Sequence, residues 1–190
     1  GHPLTILTRE GERSEFIDDS LADKVETWGG GEPQDPIDVF KRLADRLGLA
    51  HARVGMEVPA YYLHPHHYVR IKDVLGPALV AEPSNLVHDL KLVKSPRELA
   101  FIREAGRIAD RAMEACTGAL AEGRTELEVC AAVYHALLNG GSGLPASTLN
   151  LVMGDRAHFA HGAPTAKPMR RGDFGNIEFG AAYRRYTVTI

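Results

Sequence analysis

His158-Phe-Ala-His161-Gly-Ala-Pro-Thr-Ala-Lys-Pro-Met-Arg-Arg-Gly172-Asp173-Phe-Gly-Asn-Ile-Glu178-Phe-Gly-Ala-Ala-Tyr183-Arg-Arg-Tyr186-Thr-Val-Thr189-Ile190 is the stretch on which the fold turns. Glycines and prolines punctuate its first half, and β-branched and aromatic residues fill its second. It therefore reads as a histidine-bearing loop, a Gly172-Asp173 turn, and two strands joined by a short turn. A histidine on a loop beside a sheet is a candidate acid–base group, because its ordinary pKa lies near neutrality.

Upstream of this stretch the punctuation is equally clear. Ser147 to Gly154 reads as a strand ending at a glycine. Thr125-Glu-Leu-Glu128 is a capping box opening a helix through Val129, Val133, Leu137 and Leu138, closed by Gly140-Gly141. Ser95-Pro96-Arg97-Glu98 is another, with proline at the first helical position. Apolar or small residues at Leu99, Ile102, Ala105, Ala109, Ala112, Met113, Cys116 and Leu120 then mark one face of a long helix. Two helices covering a sheet make this region α+β.

Before residue 93 the pattern is a small α/β layer. Leu4–Thr8 reads as a strand that turns at Glu10-Gly11 toward Phe16-Ile17, a candidate hairpin. Residues 29–33 form a loop, 36–47 a helix ending at Gly48, 53–58 a strand, 65–75 a short helix and 78–81 another strand. His64, His66 and His67 cluster where that short helix begins, but neighbouring helical residues point in different directions, so a solvated helix start is expected rather than a metal site. The change of pattern divides the chain into two expected domains, 1–92 and 93–190.

Composition narrows the function classes. Hydrophobic residues make up 44% and charged residues 25%, an ordinary globular balance. A net charge of −3 and a pI near 6.3 offer nothing to nucleic acid or an anionic membrane surface. No apolar run approaches the ~18 residues of a membrane span, and Gly1-His-Pro-Leu-Thr5 lacks the pattern of a secretory leader. Cys116 and Cys130 are too few for a disulfide framework or zinc ribbon and suit a reducing, cytoplasmic setting. With no initiator methionine and an end within a strand pattern at Ile190, the chain reads as a fragment, expected to be inactive alone.

His161, then Gly172-Asp173 eleven residues on, then Glu178-Phe179-Gly180, resembles the signature of the pita-bread hydrolases: methionine and Xaa-Pro aminopeptidases, prolidases and creatinase. Residues 91–103 are similar to the junction where the catalytic domain of that family begins. The resemblance implies a truncated creatinase-type N-terminal α/β domain over 1–92, the first half of a pita-bread catalytic domain over 93–190, and a homodimer. The family's metallopeptidases hold two divalent ions, such as Mn or Co, with five side chains, two of them aspartates eleven residues apart. Here those two positions are Glu178 and Thr189, and a threonine supplies no charge. The resemblance is thus read toward the metal-free branch: no cofactor, with His161 as general acid and base, as in creatinase.

The run from Glu178 to Tyr186 resembles ectoine hydrolase, implying hydrolysis of a C–N bond in a small amidine or guanidine. Glu178 would pair with the substrate cation, and Arg184 or Arg185 would hold a substrate carboxylate as a bidentate fork. Plainer roles stand beside these. Glu178 could pair with an arginine, Tyr183 and Tyr186 could be sheet packing, and His158 could make a structural hydrogen bond. The other readings are a metal-dependent Xaa-Pro dipeptidase or aminopeptidase and a non-catalytic pita-bread binding module.

Overall fold

The computed structural model describes residues 3–58, 63–143 and 148–190, and the chain falls into two units, Gly1–Leu92 and Val93–Ile190. In the first, β1 (Thr5–Arg9) pairs in parallel with β2 (Lys24–Trp28), and α1 (Arg13–Asp19) lies between them in sequence. The expected hairpin is not formed. Parallel strands need a crossover rather than a tight turn, and residues 13–19, including Phe16 and Ile17, supply it as a helix.

Helix α2 (Pro36–Arg46) follows, capped by Asp35, whose side chain accepts the Ile37 N–H at 2.8 Å; Ile37, Val39, Leu43 and Ala44 are buried. Gly48, at φ 67°, takes the left-handed conformation that stops it. The expected strand over 53–58 is only β3 (Val54–Gly55), parallel to β4 (Leu79–Ala81), with α3 (Pro65–Leu75) between them in sequence. A short helix that the periodicity did not announce, α4 (Leu86–Leu92), completes the unit; Leu86, Val87, Leu90 and Leu92 are all exposed, so no buried stripe marks it.

The second unit is α+β. Both capping boxes form: Ser95 and Glu98 open α5 (Pro96–Ala119), and Thr125 and Glu128 open α6 (Glu126–Asn139). Ile108, Ala109, Ala112 and Cys116 from α5 pack with Val129, Cys130, Val133 and Leu137 from α6 in one core. Leu138, read as part of that stripe, is exposed. Strand β5 is Asn150–Met153; Ser147, the expected first residue, lies outside the described residues.

Strand β5 pairs antiparallel with β6 (Gly175–Glu178), and β7 (Gly180–Tyr183) pairs antiparallel with β8 (Tyr186–Thr189). Phe179, between β6 and β7, exchanges backbone hydrogen bonds with Ile190, so the run 175–183 acts as one strand shared by two ladders. Side chains alternate along it. Ile177, Phe179 and Ala181 join the core beneath the helices, with Phe179 and Ala181 fully buried. That alternation sends Asn176 and Glu178 to the opposite face, where the site is built.

Candidate functional site

The loop after β5 crosses that outward face. Val152, directly opposite Asn176 in the ladder, is fully buried yet lies outside the helix-side core. The loop covers it: a Cβ at Gly162 would stand 2.4 Å from Val152 Cγ1, so only glycine allows the backbone just after His161 to lie this close. Asn176 Nδ2 donates to the Ala157 and Phe159 carbonyls at 3.1 and 3.2 Å, tying the loop to the strand.

Two residues along the same face, Glu178 Oε2 meets His161 Nε2 at 3.4 Å. The His161 side chain is 69% exposed and that of Glu178 38%, so the pair is open to water and contributes little to stability. At this distance the groups attract without a tight hydrogen bond, leaving the imidazole able to exchange a proton with a third partner. Glu178 faces the histidine rather than an arginine.

The arginines sit elsewhere on the hairpin. Arg184 and Arg185 form the two-residue turn between β7 and β8, with φ of 50° and 68°, the sign at both positions that a type I′ turn requires. They are exposed at the end of the hairpin away from Glu178. Tyr183 and Tyr186 pack: their ring centroids lie 6.0 and 5.5 Å from that of Phe101 on α5, and the Tyr186 hydroxyl donates to Glu98 Oε1 at 3.0 Å. The His158 ring meets Phe159 edge-on. Thr189, opposite Gly180 in the β7–β8 ladder, falls by alternation on the same outward face as Glu178.

One part of the site was not read from the sequence. Glu126, seen there only as the second residue of a capping box, is 1% exposed and accepts four hydrogen bonds. Met153 N–H donates to Oε1 at 2.8 Å; Arg156 Nη1, Thr165 N–H and Thr165 Oγ1 donate to Oε2 at 2.6, 2.7 and 2.8 Å. Burial opposes the charge, but these bonds from Thr165 and Met153 and the Arg156 guanidinium outweigh it, holding the carboxyl below its ordinary range. A signal was present: Glu126 falls on the stripe of Val129, Cys130, Val133 and Leu137, and a charge on a buried stripe must find partners.

Other groups carry less. His64 caps α3, its Nδ1 accepting the His66 N–H at 3.2 Å. Both cysteines are free and buried; burial first, then Cys116 and Glu126, pushes the Cys130 thiol up to about 12, which leaves it inert as a nucleophile. A hollow of about 470 Å³ in the first unit is lined by Phe40, Leu49, Val54, Met56 and Ile71. Glu57 on its lining accepts the Val87 N–H at 2.8 Å.

Residues 100–190 match the family described as metallopeptidase family M24. The chain is 33% identical over 106 residues to Xaa-Pro dipeptidase of Pyrococcus horikoshii, covering 56% of this chain and 30% of that protein. It is 27% identical over 162 residues to ectoine hydrolase of Halomonas elongata, covering 80% of this chain and 40% of that protein. In three dimensions it is similar to the prolidase of Pyrococcus horikoshii OT3, with a TM-score of 0.79 and 25% identity over 100% of this chain and 51% of the other. The chain thus spans about a third of the length of the curated dipeptidase and half that of the solved prolidase.

The match to a metallopeptidase family, with dipeptidases of that family among the relatives, overturns the expectation of a cofactor-free enzyme. That expectation came from two substituted positions, Glu178 and Thr189, which describe only part of a five-ligand set. The residues in hand supply two donors, His161 and Glu178, and a neutral hydroxyl at Thr189. Among the described residues no group of three or more His, Cys, Asp or Glu side chains could hold an ion. They do not complete a site for two ions by themselves. Over residues 100–190 the chain thus matches the model of metallopeptidase family M24, and it shares the α+β architecture of a pita-bread prolidase.

Proposed function

We propose that the full-length protein is a metal-dependent hydrolase of C–N bonds that acts on Xaa-Pro dipeptides, with His161 as its proton-transfer group. The observation that carries this reading is the apposition of His161 and Glu178 across one strand face, inside the segment matched by the family. Hydrolysis of an amide adds water to the carbonyl carbon, breaks the C–N bond and delivers a proton to the departing nitrogen. His161, whose side chain is 69% exposed, takes up and returns that proton. Glu178 holds the imidazole by charge and, standing where the family has a ligating aspartate, is the donor this strand would offer a cation. Arg184 and Arg185, at the far end of the hairpin, are not assigned to the substrate. The first unit is read as a creatinase-type N-terminal domain, the assembly as a homodimer, and the two free buried thiols as suited to the cytoplasm. Among the described residues no helix is long and apolar enough to cross a membrane.

A second substrate class has its own support: the similarity to ectoine hydrolase extends over 80% of this chain. In that reading Glu178 pairs with the cationic amidine of a small ring. One experiment separates the readings. The full-length protein is assayed on Xaa-Pro dipeptides and on ectoine, before and after exhaustive dialysis against chelator. Dipeptide turnover is expected, lost on dialysis and restored by manganese or cobalt. Faster turnover of ectoine would select the amidine, undiminished activity after dialysis would overturn metal dependence, and no turnover of either would favour a binding module.

A further inference from the structure

Of the ion pairs in the second unit, one is built into the interior, and it joins the two ends of the histidine loop. Glu126 opens α6, yet its carboxylate binds partners on both sides of His161: Met153 and Arg156 before it, Thr165 after it. Arg156 closes the ring. Its Nη1 bonds Glu126 at 2.6 Å and Thr165 Oγ1 at 3.2 Å, while Nη2 donates to the Ala163 carbonyl at 2.6 Å. The Leu127 N–H reaches the Thr165 carbonyl at 3.3 Å, so the start of α6 grips the loop by backbone as well. Between these fixed ends only a few residues are free to move, and the Gly162 contact with Val152 removes most of what remains.

We propose that Glu126 is a positioning residue for His161, acting through Arg156 and Thr165 to set where the imidazole stands over Glu178. Glu126 itself does not touch His161. A carboxylate placed only to stabilise α6 needs one or two partners near its own helix; this one spends all four acceptor bonds on the segment 153–165. Neither charge is replaceable by a neutral group of the same shape, because three donors converge on a single oxygen, Oε2. The proposal rests on the reading of His161 as the proton-transfer group, and its test has one readout that does not depend on activity.

The variant is Glu126→Gln in the full-length protein, which keeps the shape but turns an NH₂ toward one set of donors. Amide hydrogen exchange over residues 157–164 should quicken at least ~10-fold, while the middles of α5 and α6 keep their protection. The kcat should fall ~10–100-fold with KM nearly unchanged, the loss expected when a group is misplaced by about 1 Å. Combined with His161→Ala, the substitution should remove nothing further, since it acts through the imidazole. If Glu126→Gln does not fold, Arg156→Lys serves: the charge stays, but lysine cannot span from Glu126 to the Ala163 carbonyl, and the same changes are expected. Unchanged loop exchange overturns the proposal, as does a loss additive with that of His161→Ala. Full activity in His161→Ala alone would instead overturn the reading of the site, an outcome the exchange data distinguish from a failure of positioning.

Discussion

Replacing His161 with alanine is expected to lower kcat of the full-length protein ~10²–10⁴-fold on its best substrate, with KM changed only a few-fold. The size follows from what is lost: the group proposed to give the departing nitrogen its proton, 3.4 Å from the Glu178 carboxylate. The fold should not suffer. The imidazole is 69% exposed, and the loop beneath is held by Asn176, Arg156 and Glu126, none of which bonds the ring. Thermal melts of the variant and the parent should therefore coincide while their rates separate. Glu178→Gln is the companion: it removes the charge facing Nε2 and tests whether the carboxylate matters beyond its shape. An alanine variant with parental kcat would remove His161 from the mechanism.

Helices were legible wherever the signal was local. Ser95 to Glu98 and Thr125 to Glu128 announced α5 and α6 because a capping box is written in four consecutive residues. Strand pairing was not. Whether Thr5–Arg9 meets its neighbour in sequence or crosses to Lys24–Trp28 is settled by packing between distant residues, and Phe16 and Ile17 are equally at home in either answer. The site divides the same way. His161 and Glu178 were proposed from spacing along the chain, and the structure sets them 3.4 Å apart, which is proximity and not yet a role. Asn176 and Glu126 were missed, since their partners lie on the other side of a loop or 27 to 39 residues away. Arg184 and Arg185 were chosen for their charge, whereas the backbone uses them to turn the hairpin. The metal question was misread for a related reason: two substituted positions were weighed as though they spoke for a whole ligand set.

Glu126→Ala is expected to cost about 3–5 kcal/mol of stability, the loss typical of removing one partner from a buried ion pair. Three consequences add in one direction. Arg156, whose side chain is 21% exposed, loses its carboxylate; the Met153 and Thr165 N–H groups lose their acceptor; and the Thr165 hydroxyl must turn elsewhere. An unsatisfied buried donor costs about 1–3 kcal/mol, so the backbone groups alone carry much of the total. For that reason Glu126→Met combined with Arg156→Met should recover only part of the loss, although removing both charges often restores stability where a buried pair stands alone. Acid titration gives an independent check of the same group. Its carboxyl is held below the ordinary value, so its contribution is fully present above that value and lost as pH falls through the lowered one. The parent should therefore lose stability relative to Glu126→Gln below about pH 4.5. Denaturant midpoints at pH 7 and pH 3.5 measure both effects, and a difference between the two proteins that does not change with pH would show that folding leaves the Glu126 carboxyl unshifted.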